Sequence, residues 1–450
     1  MSLIHHSDLL NKTLEYIEDY LSKINSRSVF PKQEDLQAMA GLNVDIPDHP
    51  VEPQRVIELI HALGSPATVA TNAGRYFGFV IGGTLPVALS ANMLAAAWDQ
   101  CAGLHVLSPI AEQLEIIAGR WMKELLGLPM NSGVGFVTGA TQANLTGLAT
   151  ARHALLKQMG WNVEARGLYS APEIQVVVGQ EVHVSILKAL ALLGFGSERV
   201  KKLPVDKQGR IDPADIDFDQ QPTILCLQAG NVDTGSVDPM LELIPKAQEK
   251  GAWVHIDGAF GLWAAASPNY RHLVDGVELA DSWSVDLHKW LNVPYDSGVV
   301  ICRYPELMRA AMSVNAAYLP DGTPGPYQYT PGMSRKARGV EAYATIYSLG
   351  KSGVSELVER CCRHAKNMAE GLEQAGYKVL NDVVLNQVLV DFGANSEQII
   401  QDIQQEGVCW AAGTDWQGKK AMRISISSWA TTDEDIKLSM ESILRIAATK

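Results

Sequence analysis

Cysteine is scarce in this chain, with six residues in 450. No C-x-x-C pair has a second such pair nearby, so the sequence predicts no bound metal ion. Cys226 and Cys302 lie inside apolar runs, which is typical of small buried hydrophobic residues. We therefore expect a reduced protein of the cytoplasm.

Long hydrophobic runs are also absent. The run over 89–98 is shorter than the roughly 18–20 residues that a membrane helix needs, and it contains Ser90 and Asn92. The N-terminal segment mixes acidic side chains into its apolar positions, which a signal peptide does not do. The sequence therefore predicts neither a membrane span nor a signal peptide.

Basic residues are outnumbered, because 37 Lys and Arg face 50 Asp and Glu, for a net charge of −13 at pH 7. Nucleic acids and anionic membranes both attract clustered Lys and Arg, so neither is expected as the main partner. Hydrophobic residues make up 47% and charged residues 19%, which argues against a disordered chain, a collagen or a coiled-coil rod. The length corresponds to about two to three domains.

Short apolar runs alternate with longer helical stretches between about 76 and 320. Such alternation predicts an α/β domain with a mainly parallel sheet and helices on both faces. The predicted strands are 135–138, 174–178, 223–227, 253–256, 282–285 and 298–302.

A polar, helical region precedes this part of the chain. Residues 5–75 carry apolar side chains such as Leu14, Ile17 and Leu21 at helical spacing. The proline-rich segment 46–50 separates this arm from the later part of the chain.

A smaller α+β domain is predicted at the C-terminal end. It comes after the segment 321–326, Asp-Gly-Thr-Pro-Gly-Pro, which we expect to be a linker or a mobile loop. A long helix over 340–376 and strands over 387–392 and 422–427 make up the prediction.

Three segments combine polar side chains with the ends of predicted strands, where ligands bind in open α/β sheets. The first is 133–144, in which small residues follow a strand and precede a helix. Free backbone N–H groups and the positive end of the helix dipole attract an anion there, usually phosphate. A small-residue turn that simply begins the helix explains the pattern about as well.

Asp257 and Lys289 are the reactive side chains of the other two segments. Asp257 ends an apolar run, and a buried carboxylate is costly unless it is paired or functional. Capping of a helix is the alternative for this residue. Lys289 lies between His288 and Trp290 after a strand, and a partly desolvated lysine near a cation can form a Schiff base. A single lysine is more often a surface residue, but the combination with an aspartate, a phosphate site and an α/β sheet matches the requirements of pyridoxal phosphate chemistry.

These segments resemble the group II amino-acid decarboxylases, pyridoxal-phosphate enzymes that include aromatic-amino-acid and glutamate decarboxylases. The resemblance extends over 75–428 and is strongest in 139–149, 255–261 and 282–298, the last with the block HKWLNVPYDSG. It implies the aspartate-aminotransferase-like fold (fold type I), with a mainly parallel seven-stranded sheet. The domains implied are a helical dimerisation arm over 1–75, a large cofactor domain over 76–320 and a small α+β domain over 321–450.

The resemblance also implies a role for each matching residue around the cofactor. Lys289 would be the Schiff-base lysine, Asp257 would pair with the pyridine nitrogen, and His183 would stack on one face of the ring. Without the resemblance, His183 fits a buried histidine at a helix start. The other implied contacts are Ala259 on the opposite ring face, Ala140, Thr141 and His288 at the phosphate, and Asn231 near the 3′-oxygen, where a turn residue is an equal alternative.

The same resemblance implies residues for the substrate. A loop of the partner subunit carries a helpful tyrosine in this family, and Tyr327 or Tyr329 is the candidate, with a packed aromatic residue as the alternative. Arg423 matches a small-domain arginine that reaches the substrate carboxylate in related folds, or else it is an exposed strand residue. His105 ends the segment 100–105, whose small residues replace the apolar side chains of the aromatic-substrate pocket in relatives.

Asp286 departs from the family pattern, which has asparagine three residues before the lysine. A carboxylate would be repelled by a phosphate dianion, so Asp286 is not expected to contact the phosphate directly.

We therefore expect a decarboxylase that converts an L-amino acid into its amine and CO2 through Lys289. An aminotransferase or a carbon–carbon lyase would use the same cofactor residues, and a catalytically silent scaffold is a remote alternative. In the family the active site lies at a two-fold interface, so a homodimer is expected.

Overall fold

The computed structural model describes residues 6–216, 221–313 and 325–450. Residues 321–324, which form most of the predicted linker, lie outside the described residues. The long helix predicted over 340–376 is present with slightly different bounds, and it bends at Gly350, whose φ is +59°. The α-helices of the described residues are α1 (His6–Lys23), α2 (Gln33–Ala38), α3 (Pro53–Gly64), α4 (Pro86–Trp98), α5 (Pro109–Leu125), α6 (Ala140–Gln158), α7 (Val163–Arg166), α8 (Val184–Leu192), α9 (Met240–Glu249), α10 (Pro305–Met312), α11 (Gly339–Gln374), α12 (Ser396–Glu406) and α13 (Asp433–Ala447).

A seven-stranded sheet forms the centre of the molecule. Its strands are β1 (Gly133–Val137), β2 (Gln175–Gly179), β3 (Lys201–Leu203), β4 (Thr223–Gln228), β5 (Trp253–Asp257), β6 (Ser282–Asp286) and β7 (Gly298–Cys302). Their order is β1-β7-β6-β5-β4-β2-β3, and β7 runs antiparallel to both of its neighbours while the other pairs are parallel. The expected α/β class with a mainly parallel sheet is confirmed.

The apolar strand residues divide between the two faces of this sheet. Val177 and Leu225 pack into one hydrophobic cluster, whereas their chain neighbours Val176, Val178 and Cys226 pack into another that includes α6 and α8. This alternation follows from the two-residue period of a strand, and it explains why the buried strands have continuous apolar runs. Strand β3 was not predicted, because it is a three-residue edge strand with two exposed lysines.

The sheet topology brings several strand ends to one edge. Strands β4, β5 and β6 end at Gln228, Asp257 and Asp286, and Gln228 lies directly opposite Asp257. Strand β7 begins at Gly298, which pairs with both Asp286 of β6 and Val137 of β1. The first turn of α6, which comes after β1, is therefore held beside the end of β6.

A second sheet is antiparallel and consists of β8 (Lys378–Val379), β9 (Gln387–Asp391), β10 (Ala412–Trp416) and β11 (Lys419–Ser425). Its order is β10-β11-β9-β8. The two predicted C-terminal strands are present with slightly different bounds, whereas β8 and β10 were not predicted. Residues 75–77 join this unit, because Phe77 N–H donates to the Trp410 carbonyl at 2.8 Å and Ser425 N–H donates to the Phe77 carbonyl at 2.9 Å.

The N-terminal region is helical on both sides of the proline-rich segment. Helix α3 begins at Pro53, a residue whose missing N–H costs nothing in the first helical turn. Arg27 then ties the two parts together, because its guanidinium donates to the carbonyls of Ser65 and Pro66 at 2.9 and 2.7 Å. In the part of the chain that the structure describes, no helix combines the length and apolar character needed to cross a bilayer.

Candidate active site

A cavity of about 260 Å³ lies at the sheet edge where β4, β5 and β6 end and α6 begins. It is the place where the three polar segments of the sequence meet. The lining residues are Thr138, Gly139, Ala140, Thr141, His183, Ser185, Gln228, Gly230, Val232, Asp257, Ala259, Phe260, Asp286, His288, Lys289 and Tyr295.

Lys289 and the start of α6 share one carboxylate. Lys289 Nζ lies 3.2 Å from Asp286 Oδ2, and the backbone N–H of Ala140 donates to Asp286 Oδ1 at 2.5 Å. Gly139, the N-cap residue of α6, has no side chain to cap the helix, and Thr141 lines the cavity in the first turn, where backbone N–H groups have no partner within the helix. Asp286 therefore acts here as the counter-ion of Lys289 and as a ligand of the helix start.

Asp257 is 5% exposed and is surrounded by hydrogen-bond donors. Its Oδ2 accepts from Asn144 Nδ2 at 3.2 Å and lies 3.5 Å from Ser185 Oγ. Its Oδ1 accepts from the Ala259 N–H at 3.2 Å and from Ser284 Oγ at 3.4 Å. Three donors thus fix the orientation of the Asp257 carboxylate, which lines the cavity.

His183 caps the start of α8, with its ring beside the cavity. Its Nδ1 accepts the backbone N–H of Ser185 at 3.2 Å, so the proton of the neutral ring belongs on Nε2. Burial lowers the pKa of His183, and the charges of Lys289 and Arg423 lower it further, whereas the charge of Asp257 raises it. His183 is thus both a residue at a helix start, as the alternative prediction had it, and a residue that lines the cavity.

His288 lines the cavity next to Tyr295. The two rings stack with their centroids 4.2 Å apart, and the Ser297 N–H donates to His288 Nδ1 at 3.2 Å. Burial lowers the pKa of His288, while the nearby charge of Asp286, 3.5 Å from its Nε2, raises it. An anion in the cavity would favour the protonated form further.

Asn231 lies beside the cavity, but its side chain is used by the turn that contains it. Its Nδ2 donates to the Glu181 carbonyl at 3.3 Å, and its Oδ1 accepts the backbone N–H groups of Asp233 and Thr234 at 3.0 and 3.2 Å. The neighbour Val232 lines the cavity instead. The turn therefore accounts for Asn231, and a cofactor contact from its side chain stays a prediction.

Arg423 is 8% exposed on β11, so the alternative of an exposed strand arginine is wrong. Its Nη1 lies 3.3 Å from Asp233 Oδ1, and its Nε has no hydrogen-bond partner among the described residues. Burial lowers the pKa of His183 and raises that of Tyr76; the charge of the guanidinium adds to the first shift and opposes the second. It therefore lies near the cavity without lining it.

His105 and the two loop tyrosines do not line the cavity of their own chain. His105 is exposed, and its Nδ1 lies 2.5 Å from Glu112 Oε2. Tyr327 is buried, with its N–H donating to the Gly103 carbonyl at 3.1 Å. The Tyr329 hydroxyl accepts from an arginine of α10 at 2.8 Å, as a packed aromatic residue would.

Among the residues in or next to the site that the sequence did not identify, four interact with predicted site residues. Asn144 and Ser185 contact Asp257, and Tyr295 covers His288. Asn144 lies inside the segment 133–144 and Tyr295 inside the segment 282–298, so the sequence motifs already contained both residues. Tyr76 had none: it stacks on Trp410 of the small domain, and burial raises its pKa to about 12.

His255, two residues before Asp257 on β5, supports a prediction about acid stability. Burial lowers its pKa from 6.5 to about 4, so on acidification the unfolded chain binds this proton first. The resulting stability is present above about pH 6.5 and is lost progressively as the pH falls from about 6.5 to about 4. Between pH 7 and pH 5, the free energy of unfolding should fall by about 2 kcal/mol more in the wild type than in His255→Gln. Urea unfolding at both pH values measures this difference, and an equal fall in the two proteins would contradict it.

Pyridoxal phosphate fits the donors and the space of this cavity. The first turn of α6 can take a phosphate, Lys289 can link to an aldehyde, and Asp257 can pair with a protonated ring nitrogen. Space at the helix start depends on Gly139, because a Cβ there would meet His288 Cε1 at 2.8 Å. Within residues 6–216, 221–313 and 325–450, no group of three or more His, Cys, Asp or Glu side chains is arranged to hold a metal ion.

Comparison with known proteins agrees with this chemistry. Residues 35–392 match the family model of the pyridoxal-dependent decarboxylase conserved domain. The chain is 23% identical to tryptophan decarboxylase 1 of Oryza sativa subsp. japonica, over 96% of this chain and 92% of the relative, and 31% identical to aspartate 1-decarboxylase of Aliivibrio fischeri, over 53% and 47%. The crystal structure of Oryza sativa TDC with PLP and tryptamine superimposes with a TM-score of 0.91 at 20% identity, covering 100% of this chain and 99% of that one, which shows a shared fold. The resemblance to group II decarboxylases is thus confirmed, and the chain belongs to the pyridoxal-dependent decarboxylase family as a pyridoxal-phosphate-dependent carboxy-lyase.

Proposed function

We propose that the protein removes the α-carboxylate of an L-amino acid in the cavity of Lys289, releasing the amine and CO2. The observation that carries the proposal is the convergence of Lys289, Asp257, His183 and the start of α6 on one cavity. The decarboxylases among its relatives, with aromatic amino acids and aspartate in their names, support the same reaction.

Pyridoxal phosphate, when bound, supplies an aldehyde that takes up amines and a ring that accepts the electrons left by departing CO2. Lys289 would hold the aldehyde through Nζ, and its pairing with Asp286 orients the amine. Asp257 would favour a proton on the ring nitrogen, because its carboxylate accepts hydrogen bonds and is fixed by three donors. His183 covers one side of the cavity with a neutral ring, and the buried walls limit access of water to the reacting atoms.

Arg423 bears on the choice between decarboxylation and transamination. A bidentate arginine clamp on the α-carboxylate would keep that group in place and favour transamination. Asp233 already takes one face of this guanidinium, with Nη1 at 3.3 Å from Oδ1. We propose that Arg423 steers the substrate carboxylate without clamping it, which leaves the carboxylate free to depart.

We further propose a homodimer whose active sites lie at the interface. Large apolar side chains are exposed over 93–110, and His105 lies in the same stretch. A second copy of this chain would cover that surface and would bring His105 and Tyr327 toward the partner's cavity. A fully active monomer in sedimentation and activity measurements would contradict this proposal. The exposed residues are Met93, Leu94, Trp98, Val106, Leu107 and Ile110.

The domain assignment and the compartment are parts of the same proposal. Residues 1–75, with α1 to α3, serve as the dimerisation arm, 76–320 as the cofactor domain and 321–450 as the small domain. The six cysteines are free, and five of them are buried, which supports a reducing cytoplasmic location.

A panel of L-amino acids tests the reaction type. The panel includes aromatic, aliphatic and acidic members, and the cofactor-loaded enzyme is assayed for CO2, amine and keto-acid. We expect CO2 and the amine in equal amounts from at least one L-amino acid, with none from its D-enantiomer or with Lys289→Ala. A keto-acid as the main product would indicate an aminotransferase, and an aldehyde from a cleaved side chain would indicate a carbon–carbon lyase.

A further inference from the structure

A series of buried polar side chains, joined by hydrogen bonds, connects the N-terminal end of β5 to Asp257 at its C-terminal end. Trp253 Nε1 donates to Ser282 Oγ at 3.0 Å, and Ser282 Oγ lies 2.8 Å from His255 Nδ1. On the other side of the ring, His255 Nε2 lies 2.9 Å from Asn144 Oδ1, and Asn144 Nδ2 donates to Asp257 Oδ2 at 3.2 Å. Ser282, His255 and Asn144 are 0% exposed, so each depends on the others for hydrogen bonds.

The two ends of this series determine where its protons lie. The Trp253 indole can only donate, and the Asp257 carboxylate can only accept. Ser282 therefore accepts from Trp253 and donates its own proton to His255 Nδ1, which leaves His255 Nε2–H to donate to Asn144 Oδ1. The reverse arrangement would turn the amide oxygen of Asn144 toward Asp257 and lose hydrogen bonds in a fully buried place.

Close packing against α6 holds the His255 ring in this position. A Cβ on Gly147 of α6 would meet His255 Cε1 at 2.7 Å and Nδ1 at 2.9 Å. Burial, which lowers the pKa of His255 to about 4, also keeps the ring neutral at physiological pH. Both features suit a ring that must accept at Nδ1 and donate at Nε2.

A branch from Asn144 reaches the other side of the cavity. Asn144 Nδ2 lies 3.1 Å from Ser185 Oγ, to which it donates, and Ser185 Oγ lies 2.7 Å from His183 Nδ1. Ser185 Oγ then donates a hydrogen bond to His183 Nδ1, as the Ser185 backbone N–H also does, which leaves the His183 proton on Nε2. One amide group is thus hydrogen-bonded to Asp257 directly and to His183 through Ser185.

We propose that Asn144 and His255 are positioning residues that fix the charge and orientation of Asp257 and, through Ser185, the tautomer of His183. The proposal rests on the proposed pairing of Asp257 with the ring nitrogen of the cofactor. Neither residue touches the cofactor in this scheme, because both act through side chains that line the cavity.

Asn144→Asp tests this relay, because it preserves shape but replaces the donating nitrogen that faces Asp257. We expect the cofactor dissociation constant to rise about ten- to a hundredfold, as for loss of a hydrogen bond to a charged group. The pH midpoint of the visible absorbance of the loaded protein should also move, by about one pH unit. His255→Leu should move both quantities in the same direction, whereas His255→Gln, which can still donate to Asn144, should stay close to the wild type.

Asn386→Asp is the matched control for a buried asparagine. Its Nδ2 donates to the Ile426 carbonyl and to Ser427 Oγ in the small domain, at 3.0 and 2.9 Å. This control should lower the melting temperature without moving the dissociation constant or the pH midpoint.

Two further outcomes separate the relay from the proposed function. If Asp257→Asn binds the cofactor as tightly as the wild type, the pairing with the ring nitrogen fails. If Asp257→Asn weakens binding while Asn144→Asp and His255→Leu stay within about twofold of the wild type, the relay alone is overturned. Should these variants not fold, ¹⁵N NMR of the histidine-labelled wild-type holoenzyme decides, with His255 assigned from His255→Gln: a proton on Nε2 supports the relay, and one on Nδ1 overturns it.

Discussion

Lys289→Ala is expected to abolish decarboxylation, with kcat at least about a thousandfold lower. No other lysine is among the described residues that line the cavity, so no second amine is placed to hold the aldehyde. The substitution also removes the counter-ion of Asp286, whose Oδ2 lies 3.2 Å from Lys289 Nζ. Loss of the visible absorbance of the loaded protein should accompany loss of CO2 release, and both can be followed in one cuvette.

Lys123→Ala is the control for removing a partly buried lysine. Lys123 Nζ donates to the carbonyls of Met130 and Ser132, at 2.7 and 2.8 Å, and lies outside the cavity. We expect this variant to lose some stability and to keep its absorbance and turnover. Retention of more than about a tenth of the activity in Lys289→Ala would show that Lys289 is not the essential amine.

Asp257→Asn is expected to lower kcat by about 10²–10³-fold at saturating cofactor, which is the usual cost of removing one electrostatic stabiliser at a reacting centre. The amide carries no charge to favour a proton on the ring nitrogen. Its nitrogen would also face donors, because both oxygens of Asp257 accept hydrogen bonds in the native site. Turnover and cofactor affinity are therefore measured separately, and both are expected to fall.

Asp281→Asn provides the control, because Asp281 is also a buried carboxylate that accepts a backbone N–H. Its Oδ2 accepts from Val254 at 2.7 Å, just before the start of β6 and at the opposite end of that strand from the cavity. A change in stability without a change in kcat is expected. If Asp281→Asn and Asp257→Asn lowered kcat equally, the effect would belong to the sheet and not to the cofactor pair.

The chemistry of this protein was accessible from the sequence because its reactive residues end or closely follow buried strands. Asp257 and Lys289 stand out since a carboxylate and an amine are costly beside apolar runs. The alternation of such runs with helical stretches also predicted the mainly parallel sheet, and strand ends in a parallel sheet meet at one edge.

Such sequence patterns could not predict the residues whose contacts depend on tertiary packing. Tyr76 stacks on Trp410, more than three hundred residues later in the chain, and no local period marks that contact. Strands β8 and β10 were missed because one is two residues long and the other alternates through Gly413 and Asp415, which do not favour strands. Asn144 lies within a small-residue segment that the sequence already marks. Its role, however, depends on hydrogen bonds to two residues of β5, which only the fold brings close to it.

Asp286 shows how the structure refines a sequence prediction. Its charge argued against a direct phosphate contact, and the structure gives it other partners: the Lys289 ammonium and the Ala140 N–H at the start of α6. An anion at that helix start would compete with Asp286 for the same N–H. The Asp286 carboxylate thus stabilises the first turn of α6. The asparagine of the family pattern would stabilise it without a charge.

The covalent attachment point of the cofactor tests the central claim most directly. The protein loaded with pyridoxal phosphate is reduced with borohydride, digested and analysed by mass spectrometry. We predict a single phosphopyridoxyl group, on the peptide that contains Lys289, and none in Lys289→Ala. A modification at another lysine, or none in the wild type, would contradict the assignment of this cavity as the catalytic centre.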